Sequence, residues 1–410
     1  MSAVGVSTCG ILLFVLGLAT GNRAVTIGGA YVTMAAWLAI LYAKNSLGHI
    51  RYRRRLSSTK ATVGDAITLR VEVENRKPLP VLWLNCEDEV PGGEVLAMPN
   101  THPHYKPGRA ALRIVTYLKW FERVEHEFPV RCLTRGIFTL GPVRLSSGDI
   151  MGFKETSVMM NEPGTLTVYP RMAAVRGISW DERFPLGDSP TRGWINPDPL
   201  TVAGARPYVA GTPLRQIAWR ATARTGEVQQ KLLEPARQRN IVVALSISTA
   251  ERFWEGVNPE LLDTSVFVCA SLCRELLHYG TPFGLASNTL GAGPAWRSLL
   301  IPPGSSRGHL LRVLGVLAGV SAPWMEFYAT LRSLPRDTTP GTGVLVILTR
   351  QLRADWDAVI DLAKTGRSVT VVVMRADERF VPCYRQVPTY TLSSPVDWRT
   401  SEVIAFDRLG

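Results

Sequence analysis

The sequence predicts three parts in order: a membrane-spanning helical hairpin, an all-β sandwich and a doubly wound α/β domain. Three observations carry that reading. Two long charge-free runs open the chain, period-two alternation follows them, and from residue 240 near-continuous Val/Ile/Leu strands alternate with helical segments.

Residues 4–20 hold no charge and neither do residues 24–43, each run close to the ~20 residues that cross a bilayer as a helix. Gly21 and Asn22 supply the turn between them. The first run lacks the basic leader of a cleaved signal peptide, and a second full run follows directly, so residues 1–44 are expected as two transmembrane helices. Arg23 is the charge in the connecting turn, whereas Lys44, Arg51, Arg53, Arg54 and Arg55 follow the second run. By the positive-inside rule everything after residue 44 is then cytoplasmic. Residues 45–55 are expected as a basic juxtamembrane segment, with Arg51, Arg53, Arg54 and Arg55 against an anionic lipid surface.

The 410 residues leave room for two or three further domains, and the net charge of +12 raises nucleic acid as a partner. Outside the juxtamembrane cluster the excess is spread without a nucleic-acid-binding signature, so the membrane is the expected anionic partner. Cys9, Cys86, Cys132, Cys269, Cys273 and Cys383 show no CxxC spacing, as in a reduced compartment. Cys269 and Cys273 stand four apart on a predicted helix and read as buried small side chains.

Residues 56–172 read as the sandwich. "AITLRVEVEN" places Ile67, Leu69, Val71 and Val73 on one face; "LPVLWLNCEDEVP", "AALRIVTYLKW", "VEHEFPVRC" and "GIFTLGPVRLSS" follow, divided by Pro and Gly. That spacing of short strands predicts an antiparallel, immunoglobulin-like arrangement. Glu87, Asp88 and Glu89 are expected as a solvated turn, and His102, His104 and His126 as turn histidines rather than metal ligands. Residues 173–203, rich in Pro, Gly and Asp, read as a linker in which "GDSP" is a turn and no GxSxG elbow occurs. The strands "NIVVALSIS", "PFGLASN", "GVLVILTR" and "SVTVVVM" alternate with helices ending at Gly280 and Gly366, which predicts an α/β domain over residues 204–385 and a C-terminal tail at 386–410. Ligands of such sheets bind beyond the carboxyl ends of the strands.

At the start of that domain, "GARPYVAGTPLRQIAWRATARTG" (204–226) carries Arg206, Arg215, Arg220 and Arg224 with Tyr208 and Trp219, and no acidic residue. Guanidinium forks and aromatic rings suit either anion recognition or a structural network whose carboxylates come from elsewhere. The segment lies where the sandwich and the α/β domain are expected to meet, so it is read chiefly as a domain lock. Arg206, Arg215 and Arg224 are its charged members, Tyr208 and Trp219 its packing surfaces, and Asp181, Glu182, Asp188, Asp198 and Glu234 the candidate partners.

The same segment resembles the signature of the bacterial and archaeal family known as domain of unknown function 58. The likeness rests on Gly204, Arg206, Tyr208, Gly211, Arg215, Ile217, Trp219, Ala223 and Arg224, with Thr212 where the family has Asp. "LTRGIFTLGPVRLSSGDIMGF" and "LTVYPR" upstream are similar to a second family segment. The resemblance implies a membrane-anchored protein with a von Willebrand factor A-like domain, whose first strand ends in DxSxS and binds a divalent cation. Here Ser246 stands at the Asp position, Ser248 is retained, Ala250 replaces the second Ser, and Arg350 stands where a later strand would end near an acid. A hard cation would lose its principal attraction, so a degenerate site without metal is expected.

No P-loop, dinucleotide fingerprint or HExxH occurs, and neither an enzyme nor a cofactor is expected. The expected function is a non-enzymatic, membrane-anchored scaffold or protein-interaction module. The resemblance implies a partner, because such proteins are often encoded beside MoxR-type AAA+ ATPases and are suspected of assisting assembly or maturation of other complexes. The alternative is an unrecognised cell-envelope enzyme, or an anion-recognition protein that uses the Arg/Trp motif.

Overall fold

Gly21 (φ 68°) reverses the chain, and Asn22 Oδ1 accepts the amides of Ala24 (3.1 Å) and Val25 (3.4 Å), ending helix α1 (Ala3–Thr20) and capping α2 (Arg23–Ser46). The computed structural model describes residues 3–148, 155–178, 197–209, 214–235, 240–252, 254–290, 298–374 and 387–409, with backbone alone at 3, 4, 197–203, 215 and 232–235. The two helices run side by side so closely that a methyl group on Gly17 or Gly29 would collide with the backbone of Thr26 or Phe14. α2, with 24 residues and a mean hydropathy of 1.8, is long and apolar enough to cross a membrane; the apolar stretch of α1, Gly5–Thr20, is shorter.

The chain divides into two units, Met1–Arg171 with Leu314–Val320, and Met172–Val313 with Ser321–Gly410. The first continues from α2 into β1 (Ile50–Leu56), β2 (Lys60–Thr62), β3 (Ala66–Asn75), β4 (Val81–Pro91), β5 (Leu96–Ala97), β6 (Thr101–Pro103), β7 (Arg109–Leu118), β8 (Arg123–Cys132), β9 (Gly136–Leu140), β10 (Val143–Gly148), β11 (Glu155–Met160) and β12 (Gly164–Tyr169). Among the described residues they form sheets ordered β1-β3-β8-β5, β11-β10-β4-β7-β6 and β2-β12-β9. Alternation places Leu69, Val71, Val73, Leu84, Cys86, Leu112, Leu145, Leu166 and Val168 in the interior.

The basic stretch after α2 runs into a strand: β1 pairs along its length with β3, from Ile50↔Asn75 to Leu56↔Leu69. Its alternation turns Tyr52 and Arg54 inward, and Arg54 meets a buried carboxylate there. Glu87, Asp88 and Glu89 are not a solvated turn but part of β4, with Asp88 fully buried and Glu89 nearly so. His102 on β6 and His126 on β8 fall in different sheets.

The second unit opens with β13 (Ala174–Arg176) and β14 (Pro197–Pro207), then a 3-10 turn (Leu214–Gln216), α3 (Trp219–Thr225) and β15 (Gln229–Pro235). There follow β16 (Ile241–Leu245), α4 (Pro259–His278), β17 (Phe283–Leu290), β18 (Ser298–Gly304), α5 (Arg307–Gly319), α6 (Phe327–Asp337), β19 (Gly343–Leu348), α7 (Arg353–Lys364), β20 (Val369–Val373), β21 (Thr389–Leu392) and β22 (Val403–Leu409); α5 straddles the boundary between the units. An eight-stranded sheet runs β13-β22-β21-β20-β19-β16-β17-β18, with β17, β16, β19, β20 and β21 parallel.

Val242, Ala244, Val346, Leu348, Val371 and Val373 form one core with Phe327, Leu331 and Leu334 of α6 and Trp356, Val359 and Leu362 of α7. The intervening residues Val243, Leu245, Leu345, Ile347 and Val372 are equally buried. Strands covered on both faces have no polar side, which is why they read as continuous apolar runs. On α4, Cys269 and Cys273 are fully buried, and the neighbouring sulfur together with burial holds the Cys269 thiol well above its ordinary range. Part of the expected C-terminal tail is instead β21 and β22, which join the sheet between β20 and β13, and part of the expected linker is β13, which pairs in parallel with β22.

Candidate functional site

The parallel strands β19, β16 and β17 lie adjacent, so their carboxyl ends deliver three loops to one place. After β16 the chain stays extended: Ser246 N donates to Ile347 O (2.9 Å), and Thr349 Oγ1, just past β19, donates to Ser246 O (2.7 Å). On the other side Asn288 of β17 is fully buried. Its Oδ1 accepts Ile247 N (3.0 Å), while its Nδ2 donates to Ser248 Oγ (2.9 Å) and to Met325 O (2.9 Å) before α6. One amide therefore ties the loop after β16 to the start of α6, and in a dry interior each unmade bond of that set would cost about 1–3 kcal/mol.

Of the four positions singled out in the sequence, Ser246 and Ser248 join this cluster; Ala250 is only half-buried and Arg350 is exposed. Asn288 and Thr349 complete it, and their signal was faint: each is a polar residue at the end of an apolar strand run. The donors and acceptors are hydroxyls, one amide and backbone carbonyls. Among the described residues no group of three or more His, Cys, Asp and Glu is placed to hold a metal ion. Asp355, in the first turn of α7, is nearly fully buried; Tyr328 N on α6 bonds it, and its Oδ2 has no hydrogen-bond partner among the described residues. Burial, reinforced by the negative charge of Glu326, pushes its carboxyl up to about 7, against the Tyr328 amide.

The Arg/Trp motif forms a separate small substructure. β14 and β15 pair antiparallel, with Arg206↔Gln230 and Pro207↔Gln229 in register. Ile217 is the buried anchor of the turn that follows, and Ala218 N donates to Gln229 O (2.8 Å). α3 then runs seven residues to Gly226, whose left-handed φ of 76° ends it with its amide on Thr222 O. The expected short helix is present. On this substructure Trp219 is 68% exposed and Tyr208 38%, and Arg206, Arg220 and Arg224 are exposed too. The side chains of Arg215, Asp198 and Glu234 lie outside the described residues, as do Asp181, Glu182 and Asp188.

The motif opens the region that the comparisons recognise. Residues 204–404 match the family model described as "Protein of unknown function DUF58". The DUF58 match starts at Gly204, the first residue of the motif, and ends within β22. The chain is also 24% identical, over 343 residues, to the "Uncharacterized protein YeaD" of Bacillus subtilis (strain 168), covering 82% of this chain and 79% of that one. Among solved structures, a cohesin module from a family 33 glycoside hydrolase of Clostridium perfringens aligns with 8% identity and a TM-score of 0.22, over 29% of this chain and 96% of that one. The CARDB domain of a Pyrococcus furiosus protein aligns with 13% identity and a TM-score of 0.19, over 30% and 90%. Scores that low have no bearing on the fold of this chain.

Proposed function

We propose that the chain is a non-enzymatic, membrane-anchored scaffold whose von Willebrand A-like part recognises a protein partner at the cytoplasmic face. The hairpin is its anchor: Ile27, Tyr31, Met34, Trp37, Leu38 and Leu41 of α2 are all exposed, a surface that lipid satisfies and water does not. Lys44, Arg51, Arg53 and Arg55 supply the cytoplasmic bias.

The observation that carries the recognition role is the exposure of Trp219 beside Arg220 and Arg224 on α3. Exposed Trp and Arg are the residues most enriched at the energetic centres of protein interfaces, and their charge selects an acidic surface. A MoxR-type AAA+ ATPase is the proposed partner, and assembly or maturation of another complex the proposed task. Tagged full-length protein, extracted from its native membrane, should bring down that ATPase, and Trp219→Ala with Arg224→Ala should lose it at least tenfold while remaining folded. Equal recovery by the variant would remove the motif from the interface.

Asp355 favours a second reading, since a buried carboxyl raised to about 7 is the kind of group an enzyme employs. Its closure from solvent weighs toward a structural role instead.

A further inference from the structure

We propose that the turn after β7, carrying Trp120 and Phe121, dips into the membrane–water interface beside α2 and fixes the β-rich part against the lipid surface. The inference rests on the membrane-anchored reading above and concerns the first unit alone.

The end of α2 is held by the β-rich part. Ala43 and Ser46 are fully buried, Tyr42 Oη donates to Pro80 O (2.8 Å) and accepts Leu82 N (3.1 Å), and Thr156 Oγ1 donates to Ala43 O (3.3 Å). Lys77 Nζ closes the helix, donating to the carbonyls of Asn45 (2.7 Å), Gly48 (2.9 Å) and Ser46. Burial draws the Lys77 ammonium down to about 8.

The turn is bonded to that same lysine, because Phe121 N donates to Lys77 O (3.3 Å). Asn75 holds its two ends, with Nδ2 on Lys119 O (2.8 Å) and its own amide on Glu122 O (2.8 Å). Phe121 adopts a left-handed backbone (φ 52°), rare for an aromatic residue and imposed here by those bonds. The result is a rigid tip, one lysine away from the last turn of a membrane span, with Trp120 65% and Phe121 67% exposed.

Exposed apolar side chains also occur on the elements that link the span to this tip. Leu41 on α2 is exposed; Leu82, bonded through its amide to Tyr42, is exposed; Tyr117 on β7 is exposed, one residue before the strand's buried end at Leu118, which pairs with Val81. Trp and aromatic side chains concentrate at the headgroup level, where an apolar ring meets water. The tip carries charges of both signs: Lys119 and Glu122 flank the aromatics, with Glu122 Oε2 accepting the Lys119 backbone amide (2.6 Å), and Arg76 is paired with Glu74 at 2.8 Å. Aromatic insertion rather than net charge is therefore the proposed attraction, and a lipid bilayer its one occupant.

The test uses the full chain in vesicles of phosphatidylcholine and phosphatidylglycerol, with Cys9 and Cys383 replaced by Ser. Single cysteines at Trp120→Cys, Phe121→Cys, Leu38→Cys in α2 and Arg113→Cys on exposed β7 each carry a bimane label. At 120 and 121 the label should be quenched by a headgroup-level nitroxide lipid and be at least threefold less quenched by aqueous iodide than at 113. Position 38 should be quenched by an acyl-chain nitroxide. If 38 is in the bilayer while 120 and 121 are as open to iodide as 113, the interfacial tip is refuted and the anchor stands. If 38 itself is open to iodide, the anchor fails and the tip with it.

Discussion

Arg54 Nη2 lies 2.8 Å from Asp88 Oδ1, with 4% and 0% of the two side chains exposed. Tyr52 Oη donates to the other oxygen of Asp88 at 2.8 Å, so the carboxylate of β4 is held by two residues of β1. Burial pushes the Asp88 carboxyl up and Arg54 opposes it; burial and the Asp88 charge raise the Tyr52 phenol well above its usual range. Arg54→Ala should lower stability by ~3–5 kcal/mol, because an uncompensated buried charge remains, and Arg54→Met with Asp88→Leu should recover most of the loss. Urea unfolding of the detergent-solubilised chain measures both. Single variants within 1 kcal/mol of the parent, on the order of a surface pair, would mean that the pair is not closed from water.

Asp355 should make the stability of the second unit depend on pH. An aspartate titrates near 3.9 in an unfolded chain, and this one near 7 in the fold. Between those values the folded state holds a proton that the unfolded state has released, so stability falls as pH rises through the window and levels off above it. A shift of three units corresponds to about 4 kcal/mol at most. Asp355→Asn, which keeps an acceptor for Tyr328 N, should flatten the profile of Tm against pH and be more stable than the parent at pH 8. An unchanged slope in the variant would assign the dependence elsewhere.

The strand-end cluster should ignore divalent cations. Its donors and acceptors are hydroxyls, one amide and backbone groups with no carboxylate among them, Arg350 adds a positive charge nearby in sequence, and Asn288 already occupies Ser248 Oγ. A bound ion at a hundredfold excess over Kd would add about 2.7 kcal/mol to stability. The full chain should show no rise in Tm with millimolar magnesium, calcium or manganese. A rise that disappears in Ser248→Ala would establish a site.

Residues 56–410 should be protected from protease added outside intact cells and digested once the membrane is opened. The expectation follows from Lys44, Arg51, Arg53 and Arg55 after α2 against Arg23 in the turn. Digestion in intact cells would reverse the orientation and remove a cytoplasmic ATPase from the possible partners.

Local pattern determined the elements whose neighbours are predictable from their own residues. β3 follows from the alternation of Ile67, Leu69, Val71 and Val73; β16, β19 and β20 follow from unbroken apolar runs; α4 follows from its periodicity and from Asn258, whose Oδ1 caps Glu260 N (3.1 Å) and Leu261 N (3.3 Å). The Ser246 and Ser248 positions were singled out through the family resemblance, and the end of the apolar run shows only where the strand stops. Tertiary structure alone decided the rest. β13 and β21 are short and β22, though seven residues long, is mostly exposed; all three are only partly buried and become strands by pairing with distant segments: Ala174 with Val403, Thr389 with Leu409. Asn288 became the hub of the strand-end cluster because parallel pairing sets it beside Ile247, 41 residues away. Arg54 was legible as a charge and hence as a surface residue, and only Asp88, 34 residues on, made it an interior one. A sequence shows a charge, but whether water or a partner compensates it is settled by what the fold brings within hydrogen-bonding distance.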